Sequence, residues 1–314
     1  MTIGRFAPSP TGTLHVGNLR TALLAWLGAH SKRGEMLVRV EDLDRHTSGP
    51  EHERSQLVDL RRLGLDFPEP VIRQSERFAL YEEAIADLAS RGLTYDCWCS
   101  RREIREAVAA PNERSADERS SGAGAPELAY PGTCRNLSRA QRRDREESGR
   151  RPALRLRADG EAITFHDLVR GETTGTVDDV VLRRNDGVPA YNLAVVIDDA
   201  AQRVEQVVRG DDIASSTPRQ IHLQRLLGLP TPEYAHVPLV LGGDGERLAK
   251  RHGAVTLDDL ATLGIAPAVV RDELLCSVGL SAGVDLDASA RAFDWRLVPR
   301  SRWTIPDHWQ TGKP

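Results

Sequence analysis

The chain has 314 residues, 40% hydrophobic and 28% charged, which is enough to bury a sizeable core and to divide into two or three compact units. A formal net charge of −4 excludes the strongly basic balance of a protein that coats nucleic acid, although local patches can still bind it. No run approaches the ~18 apolar residues of a membrane span, Arg5 interrupts the place where a signal peptide needs an apolar stretch, and four cysteines are too few for a disulfide framework; a cytoplasmic protein that contacts no membrane is expected.

A short apolar strand opens the chain and leads through a turn punctuated by Pro8, Pro10 and Gly12 into a helix with a predicted buried stripe of Leu19, Ala22, Leu23, Trp26 and Leu27. His15 and Asn18 then fall in its first turn, three apart and on one face. The unpaired N–H groups and positive dipole of a helix start favour a polyphosphate, and Gly17 lets a flat base or ribose approach the backbone, so the segment reads as an ATP site. Residues 36–40 form a strand that delivers Glu41 at its C-terminal end, where the ligand crevice of an open α/β sheet lies. Alone, Glu41 reads as a helix cap or a surface carboxylate; after a strand, with Arg5 and His15 upstream, it reads as a site residue. A helix over 51–63, a strand over 71–73 and a helix over 76–91 continue the alternation. The pattern predicts an α/β fold on a doubly wound, parallel, Rossmann-like sheet, with its first half in residues 1–95.

Residues 96–184 read as an inserted subdomain. Cys97 and Cys99 are too close for an unstrained disulfide, whereas two thiolates from a tight turn and a third from Cys134 supply three corners of a zinc tetrahedron; the alternative is three reduced structural thiols. No histidine lies nearby, His166 being the next along the chain. The stretch 112–126, dominated by Ala, Ser, Gly and charge, lacks the apolar content to fold and reads as a mobile loop. Then come Arg135, Arg139, Arg142, Arg143, Arg145, Arg150, Arg151, Arg155 and Arg157, a solvated helix face if taken alone and an RNA-facing surface beside a zinc module. Alternating runs at 162–165 and 180–182 predict small antiparallel strands that complete the insertion.

The sheet resumes over 185–245. After a turn at Asp186-Gly187, a buried apolar segment carries Tyr191 at its mouth, and a strand over 204–208 ends in Arg209-Gly210-Asp211-Asp212, a second polar cluster at a strand's C-terminal end. Residues 246–314 hold a basic loop around Lys250, helices near 258–264 and 267–278, and a polar tail with Trp295, Trp303 and Trp309.

The run Arg5-Phe6-Ala7-Pro8-Ser9-Pro10-Thr11-Gly12-Thr13-Leu14-His15-Val16-Gly17 is similar to the HIGH signature of class I aminoacyl-tRNA synthetases and resembles their glutamyl branch in particular. Arg247-Leu248-Ala249-Lys250-Arg251 resembles the KMSKS loop of that family, with Ala249 in place of its Ser, so Lys250 must carry more of the phosphate contact. The resemblance implies His15, Gly17, Asn18 and Lys250 at ATP, with His15, Asn18 and Lys250 catalytic and Mg²⁺ accompanying the nucleotide. It implies Arg5, Phe6, Ala7, Pro8 and Ser9 around L-glutamate, Glu41 on its amino group, and Tyr191 and Arg209 on its side-chain carboxylate, either guanidinium being able to take either carboxylate. That assignment agrees with chemistry, because glutamate and glutamine are near isosteres and only a desolvated guanidinium left unpaired by an amide separates them. The Cys97, Cys99, Tyr130, Cys134 pattern resembles the glutamyl-queuosine branch, where Tyr is the fourth ligand of one structural Zn²⁺. The residues after Arg251 leave no room for the helical anticodon-binding domain of full glutamyl enzymes, which again resembles that shortened branch. Its members imply transfer of glutamate to the queuosine base of tRNA(Asp) by a monomer. A truncated glutamyl enzyme charging tRNA(Glu), another nucleotidyltransferase of the same superfold, which would have no reason to carry both Arg5 and Arg209 beside Glu41, and a non-catalytic zinc-bearing RNA-binding module are the competing readings.

Overall fold

The computed structural model describes residues 1–109, 129–246, 248 and 255–311. In chain order the elements are β1 (Ile3–Phe6), α1 (Val16–Ser31), β2 (Glu35–Val40), α2 (Pro50–Arg62), β3 (Ile72–Arg73), α3 (Phe78–Ser90), β4 (Thr94–Cys97), α4 (Arg101–Ala109), α5 (Arg139–Glu147), β5 (Ala153–Leu156), β6 (Ala162–Asp167), β7 (Gly171–Thr176) and β8 (Val181–Arg183). They continue with α6 (Tyr191–Ala201), β9 (Gln206–Gly210), α7 (Thr217–Leu227), β10 (Glu233–Val237), β11 (Val240–Leu241), α8 (Leu257–Thr262), α9 (Pro267–Cys276), α10 (Leu286–Ala292), β12 (Trp303–Thr304) and α11 (His308–Thr311).

Seven strands form the main sheet in the order β3-β2-β1-β9-β10-β6-β7, all pairs parallel except the β6–β7 hairpin. Its central strands are buried on both faces, as parallel strands under crossover helices must be. Val208 packs into the cluster that holds α1, while its neighbour Val207 packs with Ile221 of α7 on the opposite face. The order β2-β1-β9 reverses chain direction across the sheet at β1, so the crevice at the C-terminal ends of β1 and β9 is the topological switch point.

Helix α1 departs from the expected amphipathic stripe. Leu19, Ala22, Leu23, Trp26 and Leu27 are buried as predicted, but so are Arg20, Leu24, Ala25, Gly28 and Ala29. The sheet covers one side, and α10 with the Trp-bearing tail covers the other. The tail is therefore core rather than polar surface: Trp309 is fully buried, and β12 pairs with β11 through Val240↔Trp303.

Two strand assignments also differ from expectation. The strand expected at 204–208 runs Gln206–Gly210, so Arg209 lies within β9 instead of after it. The run at 162–165 lies in β6, which joins the main sheet beside β10 instead of completing an insertion, because its partner Tyr234 offers an open parallel edge at Asp167. A separate antiparallel sheet, β4-β5-β8, carries Cys97 at the end of β4. The stretch 112–126 lies outside the described residues.

Candidate active site

A cleft of about 550 Å³ opens at the switch point, and its walls include Arg5, Phe6, Ala7, Pro8, Ser9, His15, Gly17, Asn18, Glu41, Tyr191 and Arg209. The structure thus gathers every described residue that the sequence assigned to glutamate or ATP. Lys250 lies outside the described residues. Its flanks do not: Leu248 lines the cleft, and Val255 accepts a 2.8 Å hydrogen bond from the N–H of Val16 at the start of α1.

At that start His15 is the N-cap and Asn18 the third helical residue. The Asn18 N–H donates to His15 Nδ1 at 3.2 Å, and the His15 N–H donates to Asn18 Oδ1 at 3.2 Å, a reciprocal capping box. With Nδ1 used as acceptor, the neutral ring carries its proton on Nε2. A Cβ at Gly17 would lie 2.9 Å from the His15 ring, so this glycine makes room for the imidazole itself.

Arg5, from β1, and Glu41, after β2, rest on a charge network that sequence reading missed. Arg39, fully buried, donates from Nη1 to Asp199 at 2.8 Å and from Nη2 to Glu41 at 3.3 Å, while Arg5 Nε reaches Asp199 at 3.4 Å. Asp198 beside it receives Arg77 Nε at 2.6 Å, the Tyr81 hydroxyl at 2.7 Å and Gln74 Nε2 at 3.0 Å. The available signal was an arginine inside the apolar strand 36–40 and two adjacent aspartates ending an apolar run. Burial opposes the charge on Asp199, but Arg39 and Arg5 overcome it and hold that carboxyl below its usual range. At Glu41 burial prevails over the same guanidiniums and the carboxyl is pushed upward.

Arg209 is held differently. Its Nε donates to His236 Nε2 at 3.0 Å, Nη2 to Thr217 Oγ1 at 2.8 Å and Nη1 to the Tyr191 hydroxyl at 3.4 Å. His236 stands beside it in register on β10, with Nδ1 2.6 Å from Asp167.

The thiols of Cys97, Cys99 and Cys134 form a second cluster, all within 4.8 Å of one another. The Tyr130 hydroxyl lies 3.3 Å from Cys97 Sγ and 3.7 Å from Cys99 Sγ. The 3.5 Å separation of Cys99 and Cys134 is close to the ~3.8 Å edge of a tetrahedron with Zn–S bonds of about 2.3 Å, so the donors fit such an ion. Burial raises the Tyr130 phenol above its ordinary range, and a cation is what would lower it.

The arginine run splits in two. Arg155 is buried, its guanidinium 3.7 Å from the Tyr130 ring centroid and hydrogen-bonded to the Asp179 carbonyl at 2.7 Å. Arg135 pairs with Asp179 and Asp159, and Arg157 lies over the Tyr95 ring. These three serve the module's interior, contrary to the expected RNA-facing role for the whole run. Helix α5 buries nothing and leaves Arg139, Arg143 and Arg145 exposed.

The chain matches the catalytic domain of the class I tRNA synthetases (E and Q) over residues 2–285. It is 53% identical to the glutamyl-Q tRNA(Asp) synthetase of Nocardia farcinica, over 97% of this chain and 93% of that one. It is 44% identical to the enzyme of the same name from Symbiobacterium thermophilum, over 98% and 96%. The glutamate–tRNA ligase of Dichelobacter nodosus is 43% identical over 88% of this chain but only 57% of its own length. Among solved structures, the glutamate–tRNA synthetase of Elizabethkingia anophelis superimposes with a TM-score of 0.80 at 25% identity, over 98% of this chain and 69% of that one. No helix among the described residues is long and apolar enough to cross a membrane. With a family domain over nine-tenths of its length and full-length relatives above 40% identity, the chain belongs to the glutamate and glutamine branch of the class I aminoacyl-tRNA synthetases and is a ligase of that type.

Proposed function

We propose that the protein activates L-glutamate with ATP and transfers it to the queuosine base in the anticodon loop of tRNA(Asp). The observation that carries the first half is charge matching in the cleft. Glu41 and Arg209 both line the cleft, a carboxylate suited to the ammonium and a guanidinium suited to the side-chain carboxylate of one glutamate, and Arg209 is held there by an imidazole, a hydroxyl and a phenol. Glu41 receives the ammonium, and Arg209 with Tyr191 receives the side-chain carboxylate.

An oxygen of the α-carboxylate attacks the α-phosphorus of ATP, the bond to the bridging oxygen breaks, and pyrophosphate leaves. His15 and Lys250 stabilise charge on the phosphoryl oxygens and the leaving group, so the protein acts by positioning and electrostatics. Mg²⁺ bound with ATP supplies further neutralisation of the phosphates. A hydroxyl of the queuosine cyclopentene-diol then attacks the acyl carbon and AMP departs. Cys97, Cys99, Cys134 and Tyr130 would hold one Zn²⁺, which when bound supplies the cation that keeps the donors anionic and the turn fixed.

The acceptor half rests on the likeness to the two glutamyl-Q enzymes across nearly their whole lengths. The deciding experiment offers labelled glutamate with tRNA(Asp) from cells that make queuosine and from cells that cannot, alongside glutamate-dependent pyrophosphate exchange without tRNA. Labelling that requires queuosine is expected. Equal labelling of the two, or labelling of tRNA(Glu) that is lost on periodate oxidation of its 3′ end, would assign the protein to the charging of tRNA(Glu).

A further inference from the structure

The two arginines of the cleft are not equivalent. Arg5 has a carboxylate partner in Asp199, whereas Arg209 is held by an imidazole, a hydroxyl and a phenol, so its charge is left for a ligand to neutralise. The plane of that guanidinium is fixed by the imidazole on its Nε edge together with the Thr217 hydroxyl on Nη2 and the Tyr234 ring, whose centroid lies 5.4 Å from its central carbon. We propose that Asp167 and His236 are positioning residues that aim Arg209 at the substrate's side-chain carboxylate and thereby set the preference for glutamate over glutamine. The proposal rests on the glutamate reading of the cleft.

Asp167 is itself immobilised. Its carboxylate accepts the N–H groups of Val169 at 3.0 Å, Arg170 at 2.8 Å and His236 at 3.1 Å, as well as His236 Nδ1 at 2.6 Å. A ring that donates from Nδ1 presents a lone pair on Nε2, and both Arg209 Nε and the Thr217 hydroxyl converge there, the latter at 3.1 Å. The opposite tautomer would set two N–H donors against each other. Burial, with Arg209 adding to it, lowers the His236 pKa to about 4 despite the Asp167 contact, so the neutral ring prevails at physiological pH. Tyr234 stacks parallel to the imidazole with centroids 6.0 Å apart and Phe165 meets its edge, which prevents a ring flip from relaxing the arrangement. The chain Asp167, His236, Arg209 therefore runs from a carboxylate locked to the backbone to a guanidinium edge facing the cleft.

Three substitutions separate positioning from simple filling of the core. In His236→Gln the amide oxygen can reach the place of Nε2 and accept from Arg209; in His236→Asn the amide can replace Nδ1 and keep Asp167 while abandoning Arg209; His236→Leu does neither. In pyrophosphate exchange, Asn and Leu are expected to raise KM for glutamate by ~10-fold or more and to shrink the glutamate-to-glutamine ratio of kcat/KM similarly, with kcat moving less, and Gln to stay within about threefold of wild type. Asn matching wild type, or Gln and Asn failing equally, would overturn the proposal. If the wild-type protein activates no glutamate, the reading of the function has failed separately. The relay is then read by NMR, where the Arg209 Hε proton should be protected from exchange in wild type and His236→Gln but not in His236→Asn; equal protection in all three refutes it.

Discussion

Arg39 is fully buried yet lies 2.8 Å from Asp199 and 3.3 Å from Glu41, so the Glu41 end of the cleft carries its own counter-ions. Cys97, Cys99, Cys134 and Tyr130 are gathered as closely, but all four are groups that are neutral when protonated and repel when ionised. Arg155 faces the Tyr130 ring at 3.7 Å. The first region is held by charge that the chain supplies; the second, under the proposed zinc assignment, is completed by a cation from outside. Damage to the first should therefore cost folding whatever is bound, and damage to the second should depend on metal.

The strongest test of this contrast removes Asp198, which would strand Arg77, Tyr81 and Gln74 and expose Arg39 to an unbalanced interior. Breaking a buried network by deleting one partner typically costs about 3–5 kcal/mol. Asp198→Leu should thus lower the urea midpoint far more than Asp198→Asn, which keeps an acceptor. Equal midpoints for the wild type and the leucine variant would remove the network from the account.

Next in size is Lys250→Ala, which should leave folding intact and slow pyrophosphate exchange by ~10² or more, with a smaller change in KM for glutamate. Here the comparison is between charges that hold the cleft and a charge that acts on the reaction. A variant that exchanges at the wild-type rate would take Lys250 out of the chemistry.

Metal removal then addresses the second region directly. The protein purified without added metal should contain about one zinc per chain, and chelation should lower stability by about 2 kcal/mol, the linkage expected of an ion present well above its dissociation constant. Exchange without tRNA should change by less than twofold, since the cluster stands apart from the cleft. Tyr130→Phe with full occupancy and unchanged metal affinity would exclude the phenol as a ligand.

These regions were not equally readable in the sequence. The cleft residues stood out because the turn after β1 is a contiguous run, and because Glu41 and Arg209 lie at the ends of apolar strands, where the crevice of a parallel sheet falls. Asp198, Asp199, Arg39 and His236 did not, because each sits in an apolar segment whose periodicity announces burial and says nothing of what a buried charge meets. The strand β6 misled for a related reason: alternation predicts a strand but not which sheet edge will take it, and Tyr234 on β10 decided that. The wide burial of α1 was hidden by distance in sequence, since Trp295 and Trp309 close over it from the far end of the chain.

The charge on Glu41 offers a milder perturbation. Burial raises its folded-state pKa, so in the empty cleft it takes up a proton at a pH above the ordinary carboxylate value of ~4.3. Pairing with an ammonium requires the ionised form. Glutamate affinity should therefore weaken as pH falls through that raised pKa, by no more than ~10-fold per pH unit, and level off above it. Calorimetry in buffers of different ionisation enthalpy should detect proton release on binding near that pKa. Affinity that rises on acidification would reverse the assignment of Glu41 to the amino group.

The smallest effect concerns the arginine run, where the two kinds of charge meet within a few residues. Arg155 is sandwiched between the Tyr130 ring and the Asp179 carbonyl, and Arg135 is tied to Asp179, so both already have partners that a phosphate would have to displace. On α5 the guanidiniums of Arg139, Arg143 and Arg145 stand in solvent, where losing one changes little in the fold. If this helix meets the RNA backbone, each contact releases counter-ions, and log K falls with log salt by about 0.7–0.9 per phosphate neutralised. Arg143→Gln should then reduce the slope of tRNA binding by up to that amount while leaving the melting temperature and the exchange rate unchanged. Arg155→Gln should do the reverse, lowering stability by about 1–2 kcal/mol through the lost ring contact and leaving the slope in place. A salt slope that responds to Arg155 and ignores α5 would mean that the RNA reaches the module from its other face.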